Sequence, residues 1–224
     1  MDKEIFNNLA NKYDSWFDTP LGRKIYISEK NCIENLIKKS SHEYAIDLGI
    51  GTGLFTKILK DKGYKIVGID ISDEMLKIAK ERRFDVIKYD LNKKLPFDNE
   101  SFNFAFSMTS IEFLKKPEEL IEEVYRILSK NGEFLLITLN SLSLWAFVRR
   151  LKGIFIKDYV FNKGKFYSPK NLLRFFNYKW KIEKIGTCTF ISPWNPLFPS
   201  FWERVFGKIF TFSGAISYIL VKKP

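Results

Sequence analysis

Three glycines spaced by two, Gly49, Gly51 and Gly53, end the segment Ala45-Ile46-Asp47-Leu48-Gly49-Ile50-Gly51-Thr52-Gly53, directly after a short apolar run. Without Cβ atoms such a loop turns tightly and lets backbone N–H groups approach a ligand, and a helix starting just beyond it adds further free N–H groups. The pattern calls for a nucleotide-like ligand. It is not the dinucleotide fingerprint, which needs a third small residue at a fixed spacing: counted from Gly49 that position is Leu54, and from Gly51 it is Thr56. It is not a Walker loop either, because Leu54-Phe55 follows Gly53 where a lysine would stand. Two carboxylates close the next two apolar runs: Asp70, 17 residues after Gly53, and then Asp90.

Other chemistries have little material. One histidine, His42, and two cysteines, Cys32 and Cys188, cannot supply a four-ligand cysteine zinc site, a histidine-held catalytic metal or a Ser-His-Asp triad. His42 lies in the polar stretch Ser40-Ser41-His42-Glu43 and reads as a solvated loop residue. Two cysteines are too few for a disulfide framework, and the charged start Met1-Asp2-Lys3-Glu4 has no apolar leader, so the expected compartment is the cytoplasm.

The elements that must hold these residues follow from hydrophobic periodicity. Ile5, Leu9, Tyr13, Trp16 and Phe17, then Ile25, Ile33, Leu36 and Ile37, predict two helices broken at Thr19-Pro20. From residue 44 short apolar runs alternate with helical stretches. Strands are predicted over 44–48, 65–69, 86–89, 102–108 and 133–139, and helices over 54–62, 73–83 and about 117–129. That βαβα order requires a parallel sheet with right-handed crossovers, with ligands beyond the carboxyl ends of its strands. Further on, a helix begins at Ser168-Pro169 and runs to Phe176, and strands are predicted over 181–188 and 214–221. The chain of 224 residues suits one domain that buries about 70% of its unfolded surface.

The stretch Asp47-x-Gly49-x-Gly51-x-Gly53 resembles the first motif of the class I S-adenosylmethionine-dependent methyltransferases. Further matches fall in order: Gly68-Ile69-Asp70-Ile71-Ser72 with Met75-Leu76, Tyr89-Asp90-Leu91, Leu95-Pro96-Phe97-Asp98, and Glu123-Val124-Tyr125-Arg126-Ile127-Leu128 before Asn131-Gly132. The likeness covers about residues 44–140 and is nearest to the small-molecule branch that includes the quinone-biosynthesis methyltransferases. It implies an α/β, Rossmann-like, seven-stranded and mostly parallel sheet with helices on both faces, an antiparallel last strand, and helical, aromatic lid insertions. The implied organisation is a single domain over 1–224, with a helical cap at 1–40, a cofactor core at 44–140 and lids at 141–180 and 190–212. The implied cofactor is S-adenosyl-L-methionine, its methionine end against Asp47, Gly49, Gly51 and Gly53. Asp70, with Ile71 beside it, would accept from both ribose hydroxyls. Asp90 would accept from the adenine amino group while Leu91 offers its N–H. Met75 would pack on the adenine, and Ser107 would face the reacting methyl.

A sulfonium methyl is already activated, so its transfer needs an acceptor that is close, aligned and desolvated rather than a metal or a covalent nucleophile. A Pro-Cys nucleophile is missing, since Asn31 precedes Cys32 and Thr187 precedes Cys188, and Ser107-Met108-Thr109-Ser110-Ile111-Glu112 replaces an N-P-P-Y loop. Glu112 is the one carboxylate there. It is a candidate general base, weighed against an exposed loop carboxylate, while Tyr13 is a candidate to close over the cofactor, weighed against a core tyrosine.

Charge divides the chain. Residues 141–224 carry 15 Lys or Arg against three acidic residues, a balance of +12, and hold 20 of the 37 aromatic residues. Residues 185–202 are uncharged, but Pro193, Pro196 and Pro199 forbid a spanning helix there. Apolar stripes are predicted at Leu144, Trp145, Val148 and Leu151, opposite Arg149, Arg150 and Lys152, and at Phe201, Trp202, Val205, Phe206, Ile209 and Phe210. They fit a lid over the sheet, a pocket for a lipophilic small-molecule substrate, or a peripheral membrane contact; nucleic acid is disfavoured. The expected function is methyl transfer to a small hydrophobic acceptor. An RNA or protein methyltransferase, and a non-catalytic binding module, are the alternatives.

Overall fold

The computed structural model describes residues 3–38, 43–156, 159–191 and 212–224. Helices α1 (Lys3–Asp18) and α2 (Pro20–Leu36) precede the sheet, and the Thr19 hydroxyl caps α2 by accepting from Gly22 N–H at 3.0 Å. The alternation then runs β1 (Tyr44–Leu48), α3 (Thr56–Asp61), β2 (Lys65–Asp70), α4 (Asp73–Glu81), β3 (Asp85–Lys88), β4 (Phe102–Met108), α5 (Pro117–Ile127) and β5 (Leu128–Leu139). It is followed by α6 (Leu144–Phe155), α7 (Pro169–Leu173), β6 (Lys181–Cys188) and β7 (Ile216–Lys222).

Among the described residues the seven strands form one sheet in the order β3-β2-β1-β4-β5-β7-β6. The first five are parallel, and β7 is antiparallel to both β5 and β6. Strand order reverses between β1 and β4, which opens a crevice at their carboxyl ends. Ala45 to Leu48 are buried because helices cover both faces. One core packs α5 and Trp180 on Phe134 and Leu136, and the other packs α2 and α3 on Phe104 and Phe106.

Element boundaries shift where turns override periodicity. Helix α3 starts at Thr56 rather than Leu54, α7 ends at Leu173 rather than Phe176, and α5 gives way at Leu128 to an extended chain. Cys32 and Cys188, too few for a framework, form one disulfide between α2 and β6 with Cα atoms 6.5 Å apart. Helix α6 departs most from its predicted face. Trp145 and Val148 are half-buried and Arg150 and Lys152 exposed, as expected, but Leu144 and Leu151 of the same stripe are 46% and 41% exposed, and Arg149, assigned to solvent, turns inward and buries its Nη1. His42, the three prolines and the stripe over 201–210 lie outside the described residues. Among those described, no helix is long and apolar enough to cross a membrane.

Candidate active site

The three loop glycines all have positive φ, at 89°, 55° and 78°, but for different reasons. A Cβ on Gly49 would stand 2.5 Å from the Ser110 Cβ, and one on Gly53 would stand 2.7 Å from the Phe84 ring, so these two permit close packing. A Cβ on Gly51 would meet only the Met75 Sδ, at 3.9 Å. Gly51 therefore borders an open cradle. Ile50 fills the space that Gly68 leaves free, since a Cβ on Gly68 would lie 2.3 Å from the Ile50 Cδ1.

Asp70, half-buried at the end of β2, ties that cradle to the sheet. Its Oδ2 accepts from Gly51 N–H at 3.0 Å and its Oδ1 from Ser72 N–H at 2.9 Å; burial raises its carboxyl, and the backbone donors oppose the rise. Asp47, 2% exposed, accepts from the Thr56 hydroxyl at 2.6 Å, and burial pushes its carboxyl up to about 7. Asp90 lies beyond β3 with Asn92 N–H donating to its Oδ1 at 3.0 Å; burial works against it, but Asn92 and Lys93 hold its carboxyl below the ordinary range. Met75 and Leu91 are buried beside the loop and Ile71 is half-buried. Ser107 is fully buried, its hydroxyl donating to the Leu48 carbonyl at 3.1 Å and 2.6 Å from the Ser110 hydroxyl, so it braces the β1–β4 junction.

Helix α1 roofs the crevice. Asn7 Oδ1 accepts from the Ser72 hydroxyl at 2.7 Å, Asp14 accepts from the Thr52 hydroxyl at 2.8 Å and pairs with Arg82, and Arg82 also donates to the Thr52 carbonyl at 2.9 Å. Phe6 meets Phe113 edge-on at 5.1 Å, and Tyr13 meets Phe17 edge-on at 5.6 Å. Burial, then the charges of Glu29 and Asp14, raise the Tyr13 phenol. Thr109 holds φ at 51°, a costly left-handed conformation for a β-branched residue. Asn7, Asp14 and Arg82 carry no motif; only contacts between distant segments single them out.

Beyond β4, Glu112 occupies a short 3₁₀ turn, Ile111–Phe113. It is 1% exposed, which corrects the reading of an exposed loop carboxylate. Its Oε1 accepts from Leu139 N–H at 2.6 Å, and its Oε2 has no hydrogen-bond partner among the described residues. The reason is tertiary: the Lys165 N–H donates to the Glu112 carbonyl at 2.8 Å and the Tyr167 N–H to the Leu139 carbonyl at 3.0 Å, so the chain after α6 covers the turn. Burial raises Glu112 to about 7, against the Leu139 bond and the nearby Arg149. Glu29 on α2, 7% exposed, is raised by burial to about 8 and is also countered by Arg149. Among the described residues no group of three or more His, Cys, Asp and Glu could hold a metal ion.

The open cradle at Gly51, with carboxylates ending β2 and following β3, fits a nucleoside laid across the strand ends, and the switch-point sheet beneath it is that of a class I S-adenosylmethionine-binding enzyme. Comparison with known proteins agrees: the family described as the methyltransferase domain matches residues 46–136. The chain belongs to this family of S-adenosylmethionine-dependent methyltransferases. An uncharacterised protein of Methanocaldococcus jannaschii is 33% identical over 75% of this chain and 74% of its own length. The demethylmenaquinone methyltransferase of Chlamydia felis is 30% identical over 63% of this chain and 62% of its own. A solved S-adenosylmethionine-dependent methyltransferase of Thermotoga maritima, described as a possible histamine N-methyltransferase, is 26% identical, covers 99% of both chains and gives a TM-score of 0.76.

Proposed function

We propose that this methyltransferase acts on a small, largely hydrophobic acceptor, and that Glu112 takes the proton released from the acceptor's oxygen or nitrogen. The observation that carries the reading is the buried, unpartnered Oε2 of Glu112 in the turn beyond β4, with its carboxyl held near neutrality. Bound S-adenosylmethionine supplies an electrophilic methyl on a sulfonium. Asp70 and Asp90 orient the ribose and adenine ends, the backbone at Gly51 admits close approach, and α1 excludes water through Asn7, Asp14 and Tyr13. Incubation with methyl-labelled cofactor and a cell extract tests this. Label is expected in the organic-soluble fraction, falling about 10²- to 10⁴-fold with Glu112→Gln; label in RNA or protein would refute the small-molecule reading.

The outer face of α6 supports a second element, contact with an anionic membrane surface. Leu144, Phe147, Leu151, Ile154 and Phe155 are exposed there beside Arg150 and Lys152, in a region with a balance of +12. Flotation with phosphatidylglycerol vesicles is expected and should be lost in Phe147→Ser/Phe155→Ser; equal flotation with neutral vesicles would refute the charge argument.

A further inference from the structure

A cavity of about 810 Å³ lies between α6, the chain that follows it, and α7. Its size suits a small molecule rather than a water cluster. Four cations line it, Arg149, Arg150, Lys165 and Arg174, and no carboxylate does among the described residues. Phe161 and Phe166 add apolar wall. Four like charges around one hollow repel each other, so an anion placed among them is stabilised by all four.

Arg149 provides a second, independent observation. Its Nη1 is buried with no hydrogen-bond partner among the described residues, an arrangement that costs free energy unless a ligand completes it. The guanidinium sits 5.5 Å from the Trp145 ring and 5.0 Å from the Phe161 ring, which hold its position without supplying an acceptor. Arg149 also feels the charges of Glu29 and Glu112. Two hydrogen bonds tie the wall that carries it: Asn162 donates to the Gly153 carbonyl at 2.9 Å, and the Lys165 N–H donates to the Glu112 carbonyl. The cavity thus borders the turn that carries the proposed base, because Lys165, which lines the cavity, donates its N–H to the Glu112 carbonyl.

We propose that this cavity is the acceptor's anion subsite, and that the methyl acceptor is an amphiphile whose carboxylate or phosphate is held by Arg149, Arg150, Lys165 and Arg174 while its apolar part lies against Phe161 and Phe166. This deepens the reading of a small hydrophobic acceptor and rests on it. The charged end fixes the orientation of a molecule whose body offers no hydrogen bonds, which is what alignment for an in-line displacement requires.

The full-length protein, saturated with S-adenosylhomocysteine, is titrated by calorimetry with octyl phosphate, octanoate, octanol and inorganic phosphate. At least one octyl anion is expected to bind about tenfold or more tightly than octanol and than inorganic phosphate, and Arg174→Gln/Lys165→Gln is expected to abolish that difference. Octyl phosphate ahead of octanoate identifies a phosphate head, and the reverse a carboxylate. Equal binding of octanol, or an unaltered difference in the double variant, would overturn the proposal. So would displacement of octyl phosphate by single-stranded oligouridylate at lower concentration, which would assign the cations to nucleic acid. Arg150→Gln, at an exposed position, is a further variant with the same expectation should the double variant unfold. A separate titration with S-adenosylhomocysteine alone reads the cofactor site, so its failure refutes the methyltransferase reading without touching anion binding.

Discussion

Replacing Glu112 by glutamine keeps an oxygen for the Leu139 N–H but removes the ionisation. The wild-type carboxyl sits at about 7 in the fold against 4.5 in an unfolded chain. The unfolded chain therefore gives up its proton first and binds fewer protons across that window, so stability is full below about pH 4.5 and is lost as pH rises through 7. Between about pH 5 and pH 8 this group alone removes about 2 to 3 kcal/mol from the wild type. Glu29, raised to about 8, and Asp47, raised to about 7, tilt the wild type the same way, so the diagnostic quantity is the difference between the two proteins. Urea unfolding at both pH values measures it. The variant should lose about 2 to 3 kcal/mol less than the wild type over this range, while wild-type methyl transfer, needing the ionised base, should rise about tenfold from pH 6 to pH 8. Parallel stability losses in the two proteins would refute the placement of Glu112 as a buried carboxyl.

Asp70→Ala removes the acceptor of the Gly51 and Ser72 N–H groups and one or two charge-assisted bonds to the cofactor, worth about 1.5 to 3 kcal/mol each, so cofactor affinity should fall at least about tenfold by calorimetry. Asp14→Ala cuts the half-buried tie between α1, Thr52 and Arg82 and should cost about 1 kcal/mol of roof docking, read as faster hydrogen exchange over residues 3–18. Cys32→Ser opens a link spanning 156 residues and should lower stability by about 2 to 4 kcal/mol in urea, with reductant then having no further effect.

The parallel sheet and the glycine loop were legible because both are local: periodicity marks each strand, and a backbone that must adopt positive φ at Gly49, Gly51 and Gly53 writes its need into residue type. The placement of Asp70 and Asp90 is legible for the same reason, since one ends β2 and the other stands two residues past β3. The roof was not, because Asn7 and Asp14 act on residues 65 and 38 positions away, through side chains that any exposed helix could carry. The sequence leaves Glu112 between a base and an exposed loop carboxylate because its burial is supplied by residues 164–167, which no local pattern connects to it. Helix α6 misled by amphipathicity itself. Arg149 is inside while Arg150 stays exposed, and Leu144 and Leu151 are outside, a departure that marks a surface or cavity with a use rather than a helix packed on a core.

The most direct test of the central claim is calorimetric titration of the protein with S-adenosylhomocysteine, and with NAD as comparator in the same buffer. Binding of S-adenosylhomocysteine is expected with a dissociation constant on the order of micromolar, weakened at least about tenfold by Asp70→Ala, with no heat from NAD. Binding of NAD in preference, or an Asp70→Ala variant that binds S-adenosylhomocysteine like the wild type, would contradict it.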